Sequence, residues 1–501
     1  MTTTDAPAMT TTIAVHNPVT GALLGELSSA TAAEVQAAVA RARSAQRIWQ
    51  AVSLKNRLRL IEQLGDALWA QQRAAMDVIR AETGRNDTGA LSEIIATVNL
   101  TYWLKHHAPR ILQAERRRAL FPMVNRAKVY HKPYGVVGAI TPWNYPLLLV
   151  YIDVLPALAA GNTVVIKPSE IAPYSAQYVL DLMNEIGFPL DTVQIVNGDS
   201  KTGAALIACV DFVSFTGSTA VGAKIATQAA ARMIPYCLEL GGKGAMIVLK
   251  DADLDWAAHQ ALLAATESTG QMCISVERVY VEAPIYDAFI EKVRGLAHSW
   301  KISAENGLDV HIGSMTTARG LERVEQQVAD AVAKGAKLVY GGKRRPDIGP
   351  LFYEPAVLAA CDHTMAVMTE ETFGPVLPIM CVQNEAEAVR LANNSLYGLS
   401  SSIYTRDLKR AEHLAMQLET GDVGINRTVG VAASPELPWG GRKHSGVGRR
   451  GGREGLLRFT VPQSVYIETT LGSKPSLQLL DPLTLRASTL LMRLRKHMPF
   501  I

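Results

Sequence analysis

Three short stretches carry side chains that could do covalent chemistry on a carbonyl group. The first is "ATESTGQMCISVERV" (265–279), in which Cys273 is either a nucleophile or one more buried thiol, since free cysteine is among the most buried residue types. The second is "PYCLELGGKG" (235–244), where Glu239 sits in apolar company. A carboxylate there is costly unless paired, or unless a raised pKa suits it to general-base work; the alternative is a Glu bonded to nearby backbone N–H groups. The glycines that follow it, Gly241 and Gly242, permit a tight turn and close approach of another group. The third is "TPWNYP" (141–146), where Asn144 offers an amide donor to an oxyanion and the nucleophile's own N–H would be a second. Nucleophile, base and oxyanion donor are the parts of covalent chemistry at a carbonyl carbon.

Two further stretches suit a phosphorylated cofactor. "FTGSTAVGAK" (215–224) follows a predicted strand and opens a predicted helix, so Gly217 and Ser218 would present backbone N–H groups and a positive helix end to a phosphate. It departs from a P-loop, because Lys224 is one place late and no Ser or Thr follows; a plain helix cap by Ser218 explains it equally well. "IKPSE" (166–170) leaves a strand with Lys167 and Glu170, which could take ribose hydroxyls and repel a 2′-phosphate, or could be a surface ion pair.

The elements that must position these residues are those of an α/β protein. At 501 residues the chain is too long for one simple core, and 48% apolar, 19% charged and 6% aromatic content is ordinary for a globular protein. The pattern over about 30–118 is helical, with Thr31 as an N-cap. Residues 120–141 alternate like a hairpin leading into a strand. Short apolar runs at 162–168, 192–198, 211–217 and 244–250 read as buried parallel strands, and helices at 174–186 and 218–231 make βα repeats. A second α/β stretch runs over about 251–455, with a long helix at 314–335, and 458–469 reads as a late strand. The expected fold class is therefore α/β, with two doubly wound domains and a small β element.

Composition excludes several classes. The start "MTTTDAPAMTTTIAVHNP" has neither a basic nor an apolar region of the signal-peptide kind. The apolar region 145–161 is broken by Asp153 and Pro156, so it is not read as a membrane span. Five cysteines (209, 237, 273, 361, 381) without a CxxC pair argue against disulfides and against a metal site, and suit a reducing cytoplasm. The net charge of +4 is carried by residues 471–501, leaving a neutral body and no basis for nucleic-acid binding. In that tail, apolar residues at 483, 487, 490, 491, 494 and 498 share one helical face and Arg486, Arg493 and His497 another, which fits a helix docked on a neighbouring subunit or weak membrane-surface contact.

Taken in order, PWN at 142–144, KPSE at 167–170, FTGS at 215–218, ELGGK at 239–243, GQMC at 270–273, EETFGPV at 370–376 and PWGGRKHSGVGR at 438–449 resemble the aldehyde dehydrogenase superfamily over roughly residues 12–468. The resemblance implies that Cys273 attacks an aldehyde, that Asn144 and the Cys273 N–H hold the oxyanion, and that Glu239 activates water to hydrolyse the thioester. It also implies that Trp143 flanks the cofactor, that the turn Lys167–Pro168–Ser169–Glu170 takes the adenosine ribose, and that Gly217 and Ser218 meet the pyrophosphate. Leu240 would border the nicotinamide, and Glu371 and Phe373 would fix its ribose and ring. The acidic Glu170 favours NAD, with NADP as the alternative; the presence of Glu239 favours release of a free acid over transfer to coenzyme A.

The resemblance further implies domains at 12–119 with 135–241 (NAD-binding) and 242–456 (catalytic), an oligomerisation element at 120–134 with 457–470, and a homodimer or homotetramer. Ser268 stands where Asn is common in this family. Long stretches are similar to a bacterial branch assigned to succinate semialdehyde, yet Ile152 and Glu267 occupy the positions where that activity places arginines to grip the distal carboxylate. The apolar "YPLLLVYIDVL" instead suits an aliphatic or aromatic aldehyde. The rival readings are a semialdehyde enzyme that uses Arg427 or Arg442, and a catalytically silent relative.

Overall fold

The computed structural model describes residues 12–119, 125–431, 434–468 and 482–495. The first large sheet runs in the order Gly446–Val447, Tyr236–Glu239, Phe212–Thr216, Val136–Ile140, Thr163–Lys167, Val193–Ile195. All its pairings are parallel except that of Gly446–Val447, which lies antiparallel on the edge beside Glu239. Its central strands read "VVGAI", "TVVIK" and "FVSFT" without polar alternation because helices cover both faces, and every residue in those three is buried. Chain order reverses between Val136–Ile140 and Phe212–Thr216, so the loops after these strands open at a topological switch point, where doubly wound sheets bind ligands. Those loops are PWN and TGS.

The second sheet has seven strands in the order Lys337–Tyr340, Ala356–Ala359, Val376–Val382, Val276–Glu282, Gly244–Val248, Ser400–Tyr404, Asp422–Ile425. It is parallel apart from the first pair. Residues on one face, such as Ile247, Tyr280, Leu321 and Val324, and on the other, such as Met246, Val279, Phe289 and Val293, form separate buried clusters. Each such aliphatic or aromatic side chain contributes roughly 1.5–3 kcal/mol by leaving water. The doubly wound α/β class expected from the apolar runs is present in both sheets.

Thr31 caps the helix Ala32–Trp49 through a reciprocal box with Glu34. The helical pattern read over 30–118 stops earlier, however. The last helix ends at Leu112, and Glu115–Arg117 is a strand paired antiparallel with Ala127–Val129. Cross-strand pairing, including His131 Nε2 to Glu115 Oε1 at 3.1 Å, overrides local helix propensity there. The hairpin expected across 120–141 thus has its first strand upstream of 120, and residues 120–124 lie outside the described residues.

Contacts divide the chain into a large unit, residues 1–111 and 133–460, which holds both large sheets, and a small unit, 112–132 and 461–501. The small unit carries the strand order Thr460–Glu468, Asn125–Pro133, Glu115–Arg117 and the helix Pro482–Arg495. Leu485, Arg486, Leu490, Met492 and Arg493 of that helix are exposed; the side chains at 483, 487, 491, 494 and 498 lie outside the described ones. Among the described residues, no helix is long and apolar enough to cross a membrane.

Candidate active site

The loop after Val136–Ile140 turns sharply at PWN and is held from behind by a buried ion pair. Arg85 donates to the Asn144 carbonyl and to Glu93, and lies 4.0 Å over the Tyr145 ring. Glu93 accepts from the backbone N–H of Leu147 (3.1 Å) and Leu148 (2.9 Å), capping the helix that follows. Burial pushes the Glu93 carboxyl up and the Arg85 charge opposes it. The Asn144 amide nitrogen donates to the Gln271 carbonyl at 2.9 Å. An amide nitrogen carries two N–H groups, and this bond uses one.

Gln271 is two residues before Cys273. The turn leading into it has Ser268, Thr269 and Gly270 at φ of 54°, 56° and 72°, a run of left-handed backbone that only a tightly packed surrounding sustains. A Cβ on Gly270 would lie 2.2 Å from the Gly374 carbonyl, so the position admits glycine alone. Gln271 Oε1 accepts from Thr316 N–H at 2.9 Å, and Tyr145 OH lies 3.3 Å from Met272 Sδ. Cys273 is half-buried at the end of this brace. Burial, reinforced by the carboxylates of Glu371 and Glu239, pushes its thiol up to about 12. The close approach expected at the two glycines is real: a Cβ on Gly242 would lie 2.1 Å from the Cys273 carbonyl.

Glu239 ends the strand Tyr236–Glu239 with 2% of its surface exposed. Neither carboxylate oxygen has a hydrogen-bond partner among the described residues, so the reading of Glu239 as a structural carboxylate bonded to backbone N–H groups is not met. Burial raises its pKa to about 8, against the opposing charges of Arg450 and Arg458. A buried carboxyl of that kind can exchange a proton near neutral pH.

A cavity of about 200 Å³ opens beside Cys273 at the switch point, and Trp143, Asn144, Gly217, Ser218, Leu240, Glu371 and Phe373 line it with the thiol. Ser218 stands at the N-cap of the helix Thr219–Ala231 but makes no side-chain cap bond, so the plain-cap alternative fails. The first N–H groups of that helix are thus not taken by the Ser218 side chain, which suits an anionic phosphate. Glu371 accepts from Gly242 N–H at 2.9 Å, and burial together with Glu277 lifts its carboxyl to about 7. Phe373 stands edge-on to Trp143, with ring centres 5.6 Å apart. Its backbone is left-handed and fixed by Glu277, which accepts from Thr372 N–H (2.8 Å) and Phe373 N–H (2.9 Å) and pairs with the buried Lys243 (2.7 Å).

Lys167, Pro168, Ser169 and Glu170 lie outside that cavity, one strand over. Lys167 Nζ donates to the carbonyls of Pro168 (2.8 Å) and Gly198 (2.7 Å) and stands 3.5 Å from the half-exposed Glu170 carboxylate. Ser169 Oγ accepts from Ile171 N–H at 3.3 Å.

On the other side of the PWN loop, Leu100, Trp103, Leu148, Ile152, Trp439 and Leu456 border a second cleft, with Ala96, Asn99, Pro156, Pro435, Gly451, Gly452 and Gly455 completing it. No charged side chain is among them. Leu148 and Ile152 also pack on Tyr145, Leu149 and Met272, so apolar surface is continuous from the residue beside Cys273 to this cleft. Glu267 is half-buried; burial pushes its carboxyl up, while the charges of Arg85 and Arg427 oppose this.

Sequence reasoning missed Arg85, Glu93, Lys243, Glu277, Arg323 (also in the cavity wall) and Arg450. The one signal available was a charged residue inside an apolar run, as at Glu93.

The sequence pattern described as "Aldehyde dehydrogenase family" matches residues 5–465. A Mycolicibacterium smegmatis protein named "Putative succinate-semialdehyde dehydrogenase", NADP(+), is 39% identical over 482 residues, covering 96% of this chain and 93% of that protein. A Methylomonas protein named 4,4'-diapolycopene aldehyde oxidase is 40% identical over 470 residues, covering 91% and 85%. Among solved structures, betaine aldehyde dehydrogenase from Staphylococcus aureus in complex with NAD+ superposes with a TM-score of 0.87 at 31% identity, covering 94% of each chain.

Proposed function

The chain belongs to the aldehyde dehydrogenase family, and from that premise we propose that it oxidises an apolar aldehyde to the free carboxylic acid through a thioester on Cys273, with NAD as the preferred hydride acceptor. The observation that carries this reading is the placement of the Cys273 thiol in the wall of the cavity that Trp143, Gly217 and Phe373 line. Residues 12–119 and 135–241 hold the dinucleotide, and 242–456 supply the nucleophile.

The residues lining the cavity fit the nicotinamide and pyrophosphate end of a dinucleotide. The N-terminus of Thr219–Ala231 would take the pyrophosphate, Glu371 the nicotinamide ribose, and Phe373 and Leu240 the ring. When bound, the oxidised nicotinamide accepts hydride. Cys273 Sγ gives up its proton to solvent and adds to the aldehyde carbon, and the new oxyanion is held by the second N–H of Asn144 and the backbone N–H of Cys273. The C–H electron pair then leaves as hydride and the carbonyl reforms as a thioester. Glu239 takes a proton from water, whose oxygen adds to the thioester carbon. Collapse breaks the C–S bond and frees the acid, and Glu239 returns its proton to the departing Cys273 thiolate, restoring both the thiol and the base.

Substrate preference follows from the uncharged cleft. A distal carboxylate brought against Leu148, Ile152 and Trp439 would be desolvated without a partner, whereas an alkyl chain would be welcome. The expected order of kcat/KM is dodecanal and hexanal above succinate semialdehyde, read as NADH formation. Ile152→Arg should lower activity on dodecanal about tenfold and raise it on succinate semialdehyde. The similarity to the Methylomonas protein supports an apolar aldehyde. The similarity to the Mycolicibacterium protein favours the succinate-semialdehyde reading, with Arg427, whose charge is felt at Glu267, as the grip on the carboxylate. Wild-type preference for succinate semialdehyde would establish that second reading.

Glu170 sets the dinucleotide preference. Its exposed carboxylate, 3.5 Å from Lys167 Nζ, would accept ribose hydroxyls and repel a 2′-phosphate. Glu170→Ser should raise kcat/KM with NADP at least about tenfold and lower it with NAD. A wild-type preference for NADP of about tenfold or more would refute this.

A further inference from the structure

The water-activating step above leaves unexplained how Glu239, buried and without a hydrogen bond, is kept ready. Beside it lies a buried cluster that the mechanism does not use. Arg450, 1% exposed, gives Nε to Asp153 Oδ1 at 2.9 Å and Nη2 to Asp153 Oδ2 at 2.5 Å and Thr216 Oγ1 at 2.6 Å. Its Nη1 is buried and has no partner among the described residues. Asp153 also accepts from Ser214 Oγ at 2.7 Å and from Arg458. Two guanidinium groups thus share one carboxylate, and the cluster holds one positive charge in excess.

Register places that excess next to Glu239. Thr216, which takes the Arg450 hydrogen bond, is the direct neighbour of Glu239 across the parallel strands Phe212–Thr216 and Tyr236–Glu239. Both oxygens of Glu239 and Nη1 of Arg450 are buried and without hydrogen-bond partners among the described residues, linked through Thr216, and the two groups do not pair with each other in this structure. An ionised Glu239 would bring the group to neutrality and give each a partner, which is how buried charges become tolerable. We propose that the free Nη1 of Arg450 is the anchor onto which the Glu239 carboxylate turns when it ionises and by which it is then aimed, making Arg450 a positioning residue for thioester hydrolysis. The proposal rests on the reading of Glu239 as the base.

The charged and titratable groups around Glu239 are Asp153, Cys237, Cys273, Arg449, Arg450 and Arg458. Of these, Arg450 is the strongest influence toward the ionised form, and Asp153 acts against it. Removing opposite ends of one ion pair must then move Glu239 in opposite directions, which a merely structural role would not do.

The test is a titration of the full-length protein carrying 13C-carboxyl glutamate, with the Glu239 signal assigned by its loss in Glu239→Gln. Arg450→Gln should raise the midpoint by at least about one unit, Asp153→Asn should lower it, and Arg450→Lys should hold it near the wild-type value. The acid limb of steady-state turnover should move with the midpoint in each folded variant. A midpoint unmoved by Arg450→Gln in a folded protein, or one moved the same way by Asp153→Asn, would overturn the anchor. If the midpoints shift as expected while Glu239→Gln leaves thioester hydrolysis unchanged, the anchor stands and the base assignment falls.

Discussion

Cys273→Ala is expected to reduce NADH formation at least about a thousandfold with every aldehyde, because loss of a nucleophile leaves only binding and oxyanion contacts to act. Dinucleotide affinity, read by fluorescence quenching, should change less than about threefold, since the thiol is one wall atom of a cavity otherwise lined by Trp143, Gly217, Glu371 and Phe373. An alanine variant that still turns over within tenfold of wild type would sink the assignment. The pH profile adds a sign. Burial and the neighbouring carboxylates push the thiol to about 12, so the thiolate is scarce at neutral pH and thiol addition should quicken as pH rises toward that value.

Glu239→Gln should act on a different step. Acylation needs no water, so the first turnover should survive and appear as a burst of about one NADH per active site. Steady turnover after it should fall by about 10²–10⁴, the worth of a positioned general base. With its pKa raised to about 8, Glu239 is mostly protonated at pH 7 and mostly ionised at pH 9. Hydrolysis in the wild type should therefore rise across that interval, and the glutamine variant should lose that rise. Rapid-mixing absorbance checks both points. Equal loss of burst and steady rate would place Glu239 in acylation instead.

These two residues and Asn144 were legible in the sequence for a physical reason. Asn144 lies in the loop after a buried strand, Glu239 is the last residue of one, and Cys273 lies in the turn between the helix Leu254–Thr266 and the strand Val276–Glu282, so each sets an unusual residue type within a few positions of an apolar run. Gly242 and Gly270 mark places where backbones nearly touch, and Gly241 a place where the Glu371 carboxylate comes close. What supports the site was not legible, because it is paired over distances that no local spacing encodes. Asp153, which in the sequence only interrupts an apolar run, is held by Arg450 from 297 positions away. Arg85 and Glu93 brace a loop more than fifty positions downstream of them. Lys243 and Glu277 look like unremarkable charges until the second sheet stacks them under the Thr372–Phe373 backbone. The strand Glu115–Arg117 was read as helix because its own residues favour one, and only its distant partner decides otherwise.

The edge strand Gly446–Val447 beside Glu239 also fixes when, during synthesis, the site can exist. The strand carrying Glu239 has its outer hydrogen-bonding side closed only by residues roughly nine tenths of the way along the chain, and Arg450 arrives with them. A nascent chain on the ribosome will have exposed Cys273 long before that edge is covered. For that interval the thiol is without its finished pocket, and the open strand is a place for wrong pairing. Cellular yield should therefore depend more on how fast the last stretch is translated, and on chaperones that shield the waiting edge, than on the stability of the finished enzyme.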